Sequence, residues 1–281
     1  MQKKQCIIVA GPTAVGKTSA AIELAKEYQT EIISADSRQC FKELNIGVAR
    51  PTEYQLQDVV HHFMANHSIT ENITAASFEK EALDKLNLIF QKSDYAIVCG
   101  GTGLYIKALA EGLNEIPQVP EEIRQIVIEL HSNKGIEGLR NTLLRSDPDF
   151  GKYGDINNPN RMMRALEVVL HTGNPINFYQ TGERTKRNFE ISYRIMDMPR
   201  EELYSRINSR VDEMVHLGLE EEVKSLIEHQ DRPALQTVGY KEFFDYFNGV
   251  CSKEFAIEKI KQHTRNYAKR QMTWFSKYSA S

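Results

Sequence analysis

The sequence lacks long apolar runs, and no stretch of its 281 residues approaches the length that a membrane-spanning helix needs. Cysteine is scarce: Cys6, Cys40, Cys99 and Cys251 form no C-x-x-C pair and no zinc-ligand spacing, so we expect reduced thiols in a cytoplasmic protein. Positive charge is not in excess, because the net charge is −3. Any binding of nucleic acid must therefore come from local basic surfaces.

The segment from residue 11 to residue 18 has the G-x-x-x-x-G-K-T spacing of a phosphate-binding P-loop. An apolar run precedes it and a helical pattern follows it, which predicts a strand, a loop and a helix. Glycines let backbone N–H groups turn inward around an anion, and the helix N-terminus adds partial positive charge. Lys17 supplies a full charge and the Thr18 hydroxyl is a ligand for Mg²⁺. The residues predicted to bind a diphosphate or a nucleotide here are Gly11, Pro12, Thr13, Ala14, Val15, Gly16, Lys17 and Thr18.

Two further segments are expected beside this loop. A predicted strand at 31–35 ends at Asp36, and ligands of open α/β sheets gather at the carboxyl ends of strands. The alternative is that Asp36 and Ser37 only cap a turn. A second predicted strand, at 95–99, runs into the glycine-rich segment 100–103, where we expect backbone to approach a ligand closely. P-loop ATPases often carry a Walker-B aspartate at this point, and its absence here counts against a generic ATPase.

The pattern changes after Pro117, where short helical patterns follow one another without a strand signal. We interpret this region as a helical insertion of about seventy residues between two strands of the core. The helical patterns lie at 121–131, 135–145 and 160–172, and a late strand is predicted at Tyr193–Met198. The predicted fold class is α/β, with a P-loop NTPase-like parallel sheet core and a mostly helical insertion domain. The predicted organisation is core at 1–116, insertion at 117–189 and core at 190–281.

Arginines share one face of the predicted helix 200–217. Arg206 and Arg210 lie four residues apart and suit a diphosphate, because guanidinium groups bind phosphate oxygens bidentately. The alternative is a solvated charged face, paired with Glu202 or Glu213.

The last predicted helix, at about 253–275, combines basic and aromatic side chains. Its basic stripe consists of Lys261, Arg265 and Lys269, with Arg270 beside it. The interleaved aromatic residues are Tyr267, Trp274 and Phe275. Such a face suits single-stranded RNA, since cations contact phosphates and rings stack on unpaired bases. The alternative is a terminal helix that buries its rings and solvates its lysines.

Taken together, these motifs closely resemble the tRNA dimethylallyltransferase family, also called tRNA isopentenyltransferases, in its bacterial form without a C-terminal zinc finger. The resemblance spans nearly the whole chain and keeps the family's order of motifs. The matching stretches are Gly11–Thr18, Ser34–Gln39, Ile46–Pro51, His61-His62, Gly100–Tyr105, Arg161–Glu167, Arg206–Asp212, Val238–Glu242 and Ala268–Phe275.

The resemblance implies an activity and its partners. Members transfer a dimethylallyl group from dimethylallyl diphosphate to N6 of adenosine 37 in tRNAs that read codons beginning with U. The expected partners are the anticodon stem-loop of tRNA, dimethylallyl diphosphate and Mg²⁺, and the expected form is a cytoplasmic monomer. Two alternatives stay open: a small-molecule P-loop kinase that uses ATP, and a nucleotide-gated RNA-binding module without chemistry.

The resemblance also suggests roles for individual residues. The amine of adenine is a poor nucleophile, so a carboxylate must take its proton, and Asp36 is the candidate base. The expected catalytic residues are Asp36, Lys17, Arg210 and Thr102, and Arg210 is also expected to bind the diphosphate. The expected tRNA contacts are Asp36, Ser37, Arg38, Gln39, Thr102, Arg124, Asn160, Arg161, Met162, Met163, Arg164, Gly239, Tyr240, Lys241, Arg265, Lys269 and Arg270.

Overall fold

A computed structural model of the chain describes residues 3–182 and 184–278. The chain divides into two compact units. One unit is discontinuous and contains the chain up to Gly112 and from Lys186 onward, and the other spans Leu113–Thr185. The predicted insertion at 117–189 overlaps most of the second unit. Met1, Gln2 and 279–281, which the predicted core includes, lie outside the described residues.

Within the described residues, the first unit contains one five-stranded sheet. Its strands are β1 (Gln5–Ala10), β2 (Ile32–Ser34), β3 (His61–His62), β4 (Tyr95–Gly100) and β5 (Glu190–Ile195). Their order is β3-β2-β4-β1-β5 and every neighbouring pair is parallel, which confirms the predicted α/β fold. The carboxyl ends of β1, β2 and β4 therefore lie at one edge of the sheet, where open α/β folds bind ligands.

Helices flank these strands and make up the second unit. Before the second unit come α1 (Lys17–Glu27), α2 (Glu53–Asp58), α3 (Ala75–Phe90) and α4 (Gly103–Glu111). The second unit contains α5 (Glu121–Ser146), α6 (Phe150–Tyr153) and α7 (Pro159–Thr172), with a 3-10 turn at Ile176–Tyr179. After β5 come α8 (Arg200–His216), α9 (Leu219–Lys224), α10 (Tyr240–Phe247) and α11 (Lys253–Phe275). Further 3-10 turns lie at Ile227–His229, Pro233–Leu235 and Ser276–Tyr278.

The sheet is buried on both faces. Ile8 and Val98 belong to the cluster that contains the apolar residues of α3 and α4, while Val9 and Ile97 belong to the cluster that contains those of α1. A strand covered on both sides needs apolar residues at successive positions. This burial explains why β1 and β4 appear in the sequence as continuous apolar runs.

The late strand lies three residues earlier than predicted. It runs from Glu190 to Ile195, in register with β1 from Gln5 to Ala10, instead of from Tyr193 to Met198. The ladder ends there because β1 itself ends at Ala10 and the chain turns into the P-loop. At that turn a Cβ atom on Gly11 would lie 2.3 Å from the Met196 carbonyl oxygen, so only glycine fits against the end of β5.

The second unit is a small helical body with its own apolar core, which includes Val127, Leu143 and Leu166. Helix α5 is continuous except at Gly135, whose φ of +62° and ψ of −167° break it into two helices. Two separate helical patterns are what the sequence predicts there. Helix α6 and the first 3-10 turn were not predicted, because each is at most one turn long and carries too few residues to show a period.

The adjacent histidines lie at the amino end of β2, away from the edge that carries Asp36. His61 and His62 form strand β3 beside Ile32 and Ile33, and His62 Nε2 lies 2.6 Å from Glu31 Oε2. The contacts of this pair are thus polar packing against the strand and its acidic neighbour. Through residues 3–182 and 184–278, no helix combines the length and the apolar character that crossing a membrane requires.

Candidate active site

The P-loop connects β1 to α1 and has the backbone shape that anion binding needs. Gly16 precedes the first residue of α1 and has a φ of +97°, in the left-handed region that glycine adopts without strain. The N-terminus of α1 therefore opens directly onto the loop. Its unpaired N–H groups and the helix dipole favour an anion at this point.

Two loop residues differ from the others in what they offer a ligand. Pro12 has no N–H, and the N–H of Thr13 donates to Gln271 Oε1 at 2.8 Å. The expectation that every loop residue contributes to diphosphate binding is therefore corrected for the amides of these two positions. The hydroxyl of Thr13 faces the site instead and lies 3.3 Å from Arg210 Nη1. The amides of 14–18 remain as the loop donors for an anion.

Lys17 is the main charged group of the loop. Its Nζ donates to the Pro12 carbonyl oxygen at 2.7 Å, which folds the side chain back over the loop. The pKa of Lys17 is lowered to about 8, mainly by burial and in part by Arg210, while Cys99 and the Asp36 carboxylate act in the opposite direction. An anion bound in the loop would add negative charge beside this ammonium group and favour its protonated form.

Asp36 is both a turn cap and a cavity residue. Its Oδ1 accepts from the N–H of Arg38 at 2.9 Å and from that of Gln39 at 3.3 Å, as the turn alternative requires. The same residue lines two cavities, one of which contains the P-loop. The turn holds the carboxylate at the carboxyl end of β2. The hydrogen bonds that make Asp36 a turn cap therefore also place its carboxylate where it lines both cavities.

A chain of hydroxyl groups lies next to Asp36. Thr102 Oγ1 accepts from the N–H of Ser37 at 3.0 Å and lies 3.3 Å from Ser37 Oγ. The Tyr267 side chain lies beside Thr102. Burial raises the pKa of Tyr267 to about 12, with the Asp36 charge adding to the shift and the nearby Thr102 hydroxyl opposing it. Tyr267 is thus a neutral donor within reach of the strand ends.

The two arginines of α8 have different surroundings. Arg210 reaches the P-loop through Thr13 and is mostly buried, and its burial lowers its pKa while Asp36 raises it. Arg206 instead pairs with Glu202 at 2.8 Å, with both side chains about half exposed. Arg206 thus forms the charge pair of the alternative interpretation, but it also lines the cavity that contains the P-loop, as Arg210 does. The predicted binding of a diphosphate by this arginine pair stays a prediction.

The glycines after β4 approach protein atoms closely. A Cβ atom on Gly100 would lie 2.2 Å from the Ala35 carbonyl oxygen, and one on Gly103 would lie 2.2 Å from Trp274 Nε1. Gly100 also lines the cavity that contains the P-loop, so the expectation that backbone approaches a ligand here stays a prediction. These glycines let β4 and α4 lie directly against β2 and α11, which brings Thr102 next to Ser37.

Two cavities meet at the edge of the sheet. The phosphate-side cavity, about 820 Å³, is lined by Gly16, Lys17 and Thr18, and the base-side cavity, about 660 Å³, is lined by residues of α10 and α11. Residues that line both are Thr13, Asp36, Val48, Ala49, Arg210 and Met214. The two cavities thus share a boundary that contains a carboxylate, an arginine and apolar side chains.

The wall between the cavities depends on Glu222, which the sequence patterns did not indicate. This α9 carboxylate accepts N–H bonds from Asn45 at 3.1 Å, Ile46 at 2.8 Å and Gly47 at 3.0 Å. It also accepts the hydroxyl of Tyr240 at 2.6 Å. Glu222 therefore anchors the segment 45–49 that carries Val48 and Ala49, a role that an acidic helix face in the sequence does not reveal.

Several residues predicted to contact tRNA are buried. Tyr240 is 0% exposed and bonds Glu222, and Met162 is 0% exposed in the core of the second unit, so neither side chain is accessible to a ligand. Gln39 is occupied by bonds to the carbonyl oxygens of Val48 and Ala49 at 3.2 and 3.1 Å. The predicted tRNA contacts at Met162 and Tyr240 stay predictions, and only their backbone groups could make them, because both side chains face the core.

Other predicted contacts stay accessible. In the second unit Arg124, Asn160 and Arg161 are exposed, Met163 packs partly against the core, and Arg164 pairs with Glu167 at 3.3 Å. In the first unit Ser37, Arg38, Gly239 and Lys241 line the base-side cavity.

The basic stripe of α11 divides into a structural half and an exposed half. Lys261 pairs with Asp212 at 2.7 Å and Arg265 Nη1 donates to Asn208 at 2.6 Å, so both fasten α11 to α8. Lys269 and Arg270 are exposed, and Arg270 lies over the Tyr267 ring. Phe275 is buried, as the alternative interpretation of this helix required. Only the C-terminal half of the stripe presents free cationic groups to a polyanion.

The residues near the loop fit a magnesium ion carried by a diphosphate. Among the described residues, no cluster of three or more His, Cys, Asp or Glu side chains is arranged to hold a metal by itself. The Thr18 hydroxyl and the Asp36 carboxylate line the same cavity. Mg²⁺ is commonly bound by one or two such protein groups together with substrate phosphates and water.

The fold and the site define a class: a P-loop α/β protein whose anion-binding loop after β1 shares a cavity with an acidic side chain at the carboxyl end of β2. The family model described as IPP transferase matches residues 39–278, and the chain belongs to that family.

Named relatives agree over nearly the whole chain. It is 45% identical over 274 residues to the "tRNA dimethylallyltransferase" of Cytophaga hutchinsonii, covering 98% of this chain and 90% of that one. The tRNA isopentenylpyrophosphate transferase of Bacillus halodurans is structurally similar, with a TM-score of 0.68 at 35% identity over 98% of this chain and 87% of the other. A eukaryotic dimethylallyltransferase acting on tRNA gives a TM-score of 0.79 at 27% identity, over 97% of this chain and 70% of the other.

Proposed function

We propose that this protein transfers a dimethylallyl group from dimethylallyl diphosphate to N6 of adenosine 37 in the anticodon stem-loop of tRNA. The observation that carries the proposal is the position of Asp36 at the junction of two cavities, one lined by the P-loop and one by α10 and α11. The names of the relatives support the prenyl donor and the tRNA acceptor. We further propose that it acts in the cytoplasm as a monomer.

The diphosphate is assigned to the phosphate-side cavity. The amides of 14–18, the Lys17 ammonium and the Arg210 guanidinium converge there, and each favours the negative charge that accumulates on the leaving diphosphate. Mg²⁺ bound at the Thr18 hydroxyl and the phosphate oxygens would supply further stabilisation of that charge. The apolar wall of Val48, Ala49 and Met214 lies between this cavity and the next, where the prenyl carbons would lie.

The transfer itself is a substitution at the first carbon of the prenyl group. A bond forms between that carbon and N6, the bond from the carbon to the diphosphate oxygen breaks, and the electron pair leaves with the diphosphate. The N6 proton passes to the Asp36 carboxylate, which its turn holds in place. Thr102, which hydrogen-bonds to Ser37, is proposed to hydrogen-bond the base beside Asp36.

The tRNA is assigned to the base-side cavity and the exposed half of the α11 stripe. Adenosine must leave its stack to reach Asp36, and an extruded base is usually read by hydrogen bonds and aromatic stacking in a pocket. Lys241, Lys269 and Arg270 offer cations to the backbone phosphates. In the second unit the exposed Arg124 and Arg161 are proposed to make further phosphate contacts, and substrate tRNAs are proposed to read codons that begin with U.

The kinase alternative is not favoured. The matched relatives are named as transferases acting on tRNA, and β4 runs into glycines where P-loop ATPases often carry an aspartate. An RNA-binding module without chemistry would leave the carboxylate at the cavity junction without a purpose.

The decisive experiment is transfer of a radiolabelled dimethylallyl group to tRNA by wild type and by Asp36→Asn. Asparagine keeps an Oδ1 acceptor for the two turn N–H groups but is not a base, so the turn is retained. We expect the transfer rate to fall about 10²–10⁴-fold while tRNA affinity is unchanged. Asp58→Asn, at an exposed pair with Lys26, is the matched control.

Two results would overturn the proposal. Wild-type protein that transfers no label to tRNA but consumes ATP in the absence of RNA would indicate the kinase. Full transfer activity in Asp36→Asn would remove Asp36 from the mechanism.

A further inference from the structure

The side chain of Gln271 joins the two loops that carry the site. It lies on α11, is 5% exposed, and makes two hydrogen bonds at the carboxyl edge of the sheet. Its Oε1 accepts from the N–H of Thr13 at 2.8 Å, and its Nε2 donates to the carbonyl oxygen of Gly101 at 2.9 Å. The partners determine the orientation of the amide, because a backbone N–H only donates and a carbonyl only accepts.

The Gln271 amide packs closely against Gly101. A Cβ atom on Gly101 would lie 2.2 Å from Gln271 Nε2, so the glycine is what allows the amide to reach the carbonyl. Thr13 belongs to the P-loop and Gly101 immediately precedes Thr102. Without the Gln271 amide, the Thr13 N–H and the Gly101 carbonyl oxygen would lose these hydrogen bonds at a buried position, which is costly for polar groups.

Each loop reaches a different part of the reaction site. Thr13 contacts Arg210 through its hydroxyl, on the side of the leaving group. Thr102 contacts Ser37 and Tyr267, on the side of the base. A change in the spacing of the two loops would therefore change the distance between the prenyl donor and its acceptor, and an error of about 1 Å in such a distance is costly in rate.

We propose that Gln271 is a positioning residue for the transfer: its amide sets the spacing between the P-loop and the segment that carries Thr102. This inference rests on the proposed function, since it concerns the alignment of that function's two substrates. Gln271 touches neither substrate and acts through Thr13 and Gly101.

The test compares Gln271→Met and Gln271→Glu with wild type. Methionine matches the length of glutamine and removes both hydrogen bonds. We expect kcat/KM for dimethylallyl diphosphate to fall about 10–100-fold, mainly in kcat, with the KM for tRNA unchanged.

Glutamate provides a signature that a general loss of packing does not. Ionised glutamate accepts from Thr13 but cannot donate to Gly101, and its charge faces a carbonyl oxygen. Protonated glutamate restores both bonds. We therefore expect the ratio of Gln271→Glu activity to wild-type activity to rise as the pH is lowered. Gln262→Glu, an exposed position on the same helix, is the matched control and should show a ratio independent of pH.

The outcomes separate the two hypotheses. Wild-type kcat/KM in Gln271→Met, or a Gln271→Glu ratio that does not change with pH, would overturn the positioning role. If Gln271→Met does not fold, the pH dependence of Gln271→Glu decides alone. Wild-type protein that transfers no prenyl group would contradict the proposed function itself, before any variant is compared.

Discussion

The phosphate-side cavity takes most of its anion site from one contiguous segment, the P-loop, to which α8 adds Arg210. The base-side cavity takes its walls from α8, α10, α11 and the turn at 36–38. In the first, backbone geometry and a helix terminus provide the chemistry, and a short motif is enough to specify them. In the second, single side chains from distant segments provide it. Substitutions should therefore act differently on the two cavities, and four predictions test that difference.

The largest effect is expected on the phosphate side. Lys17→Met should lower kcat/KM for dimethylallyl diphosphate about 10²–10³-fold, because a charge aimed at the leaving group is lost from an enclosed site. Steady-state kinetics and a filter-binding measurement of tRNA affinity check this. Lys26→Met, on the same helix in an exposed pair with Asp58, should match wild type. An equal loss of tRNA affinity in Lys17→Met would contradict the separation of the two cavities.

The second effect concerns the wall that the cavities share. Glu222→Gln should lower the free energy of unfolding by about 2 kcal/mol, because three N–H groups and the Tyr240 hydroxyl lose a charged acceptor. The KM for both substrates should rise, since Val48 and Ala49 line both cavities. Urea denaturation and steady-state kinetics measure these changes. Glu221→Gln, exposed and adjacent, is the control; a change confined to one substrate would disprove a shared wall.

The third effect is the pH dependence of donor binding. The pKa of Lys17 is lowered to about 8, so the ammonium form is complete well below pH 8 and is lost as the pH rises through that value. The KM for dimethylallyl diphosphate should then rise with pH above about 8, up to tenfold per unit, while the KM for tRNA should not follow. Kinetics between pH 6.5 and 9.5, as approximate limits around that pKa, measure this. A KM for the donor that stays flat across this range would disagree with the environment of Lys17.

The smallest effect is expected at the exposed half of the basic stripe. Lys269→Ala and Arg270→Ala should each weaken tRNA binding a few-fold and reduce the slope of log affinity against log salt by about 1. Lys261→Ala should leave that slope unchanged and lower the melting temperature, because Lys261 pairs with Asp212. Binding at several salt concentrations separates the two halves, and equal slopes for all three variants would contradict the division of the stripe.

Local sequence patterns predicted the structure correctly wherever it depends on residues that are close together in the chain. The β1-loop-α1 unit and the full length of α11 were predicted from spacing alone. The break at Gly135 also follows from local pattern, because two helical periods that are out of phase cannot share one straight helix. The predicted position of β5 was three residues too late, because the limits of this strand are determined by its pairing with β1.

The roles of side chains that act through contacts with distant parts of the chain could not be predicted from the sequence. Arg206 and Arg210 look equivalent four residues apart, yet only Arg210 faces Thr13. Glu222 looks like one more surface acid, and Gln271 like one more polar residue of a basic helix. Each becomes informative only when a backbone segment from elsewhere supplies its hydrogen-bond partners.

By itself the sequence determined the anion loop, the parallel order of strand and helix, and the acidic residue after β2, because these depend on backbone conformations that a few adjacent residues dictate. The tertiary structure alone decided which arginine of α8 contacts the P-loop threonine, which half of the α11 stripe stays exposed, and how Gln271 and Glu222 hold the surrounding loops. The physical reason is that a hydrogen bond depends on the distance and direction between two groups, and for groups far apart in the chain only the packed fold determines both.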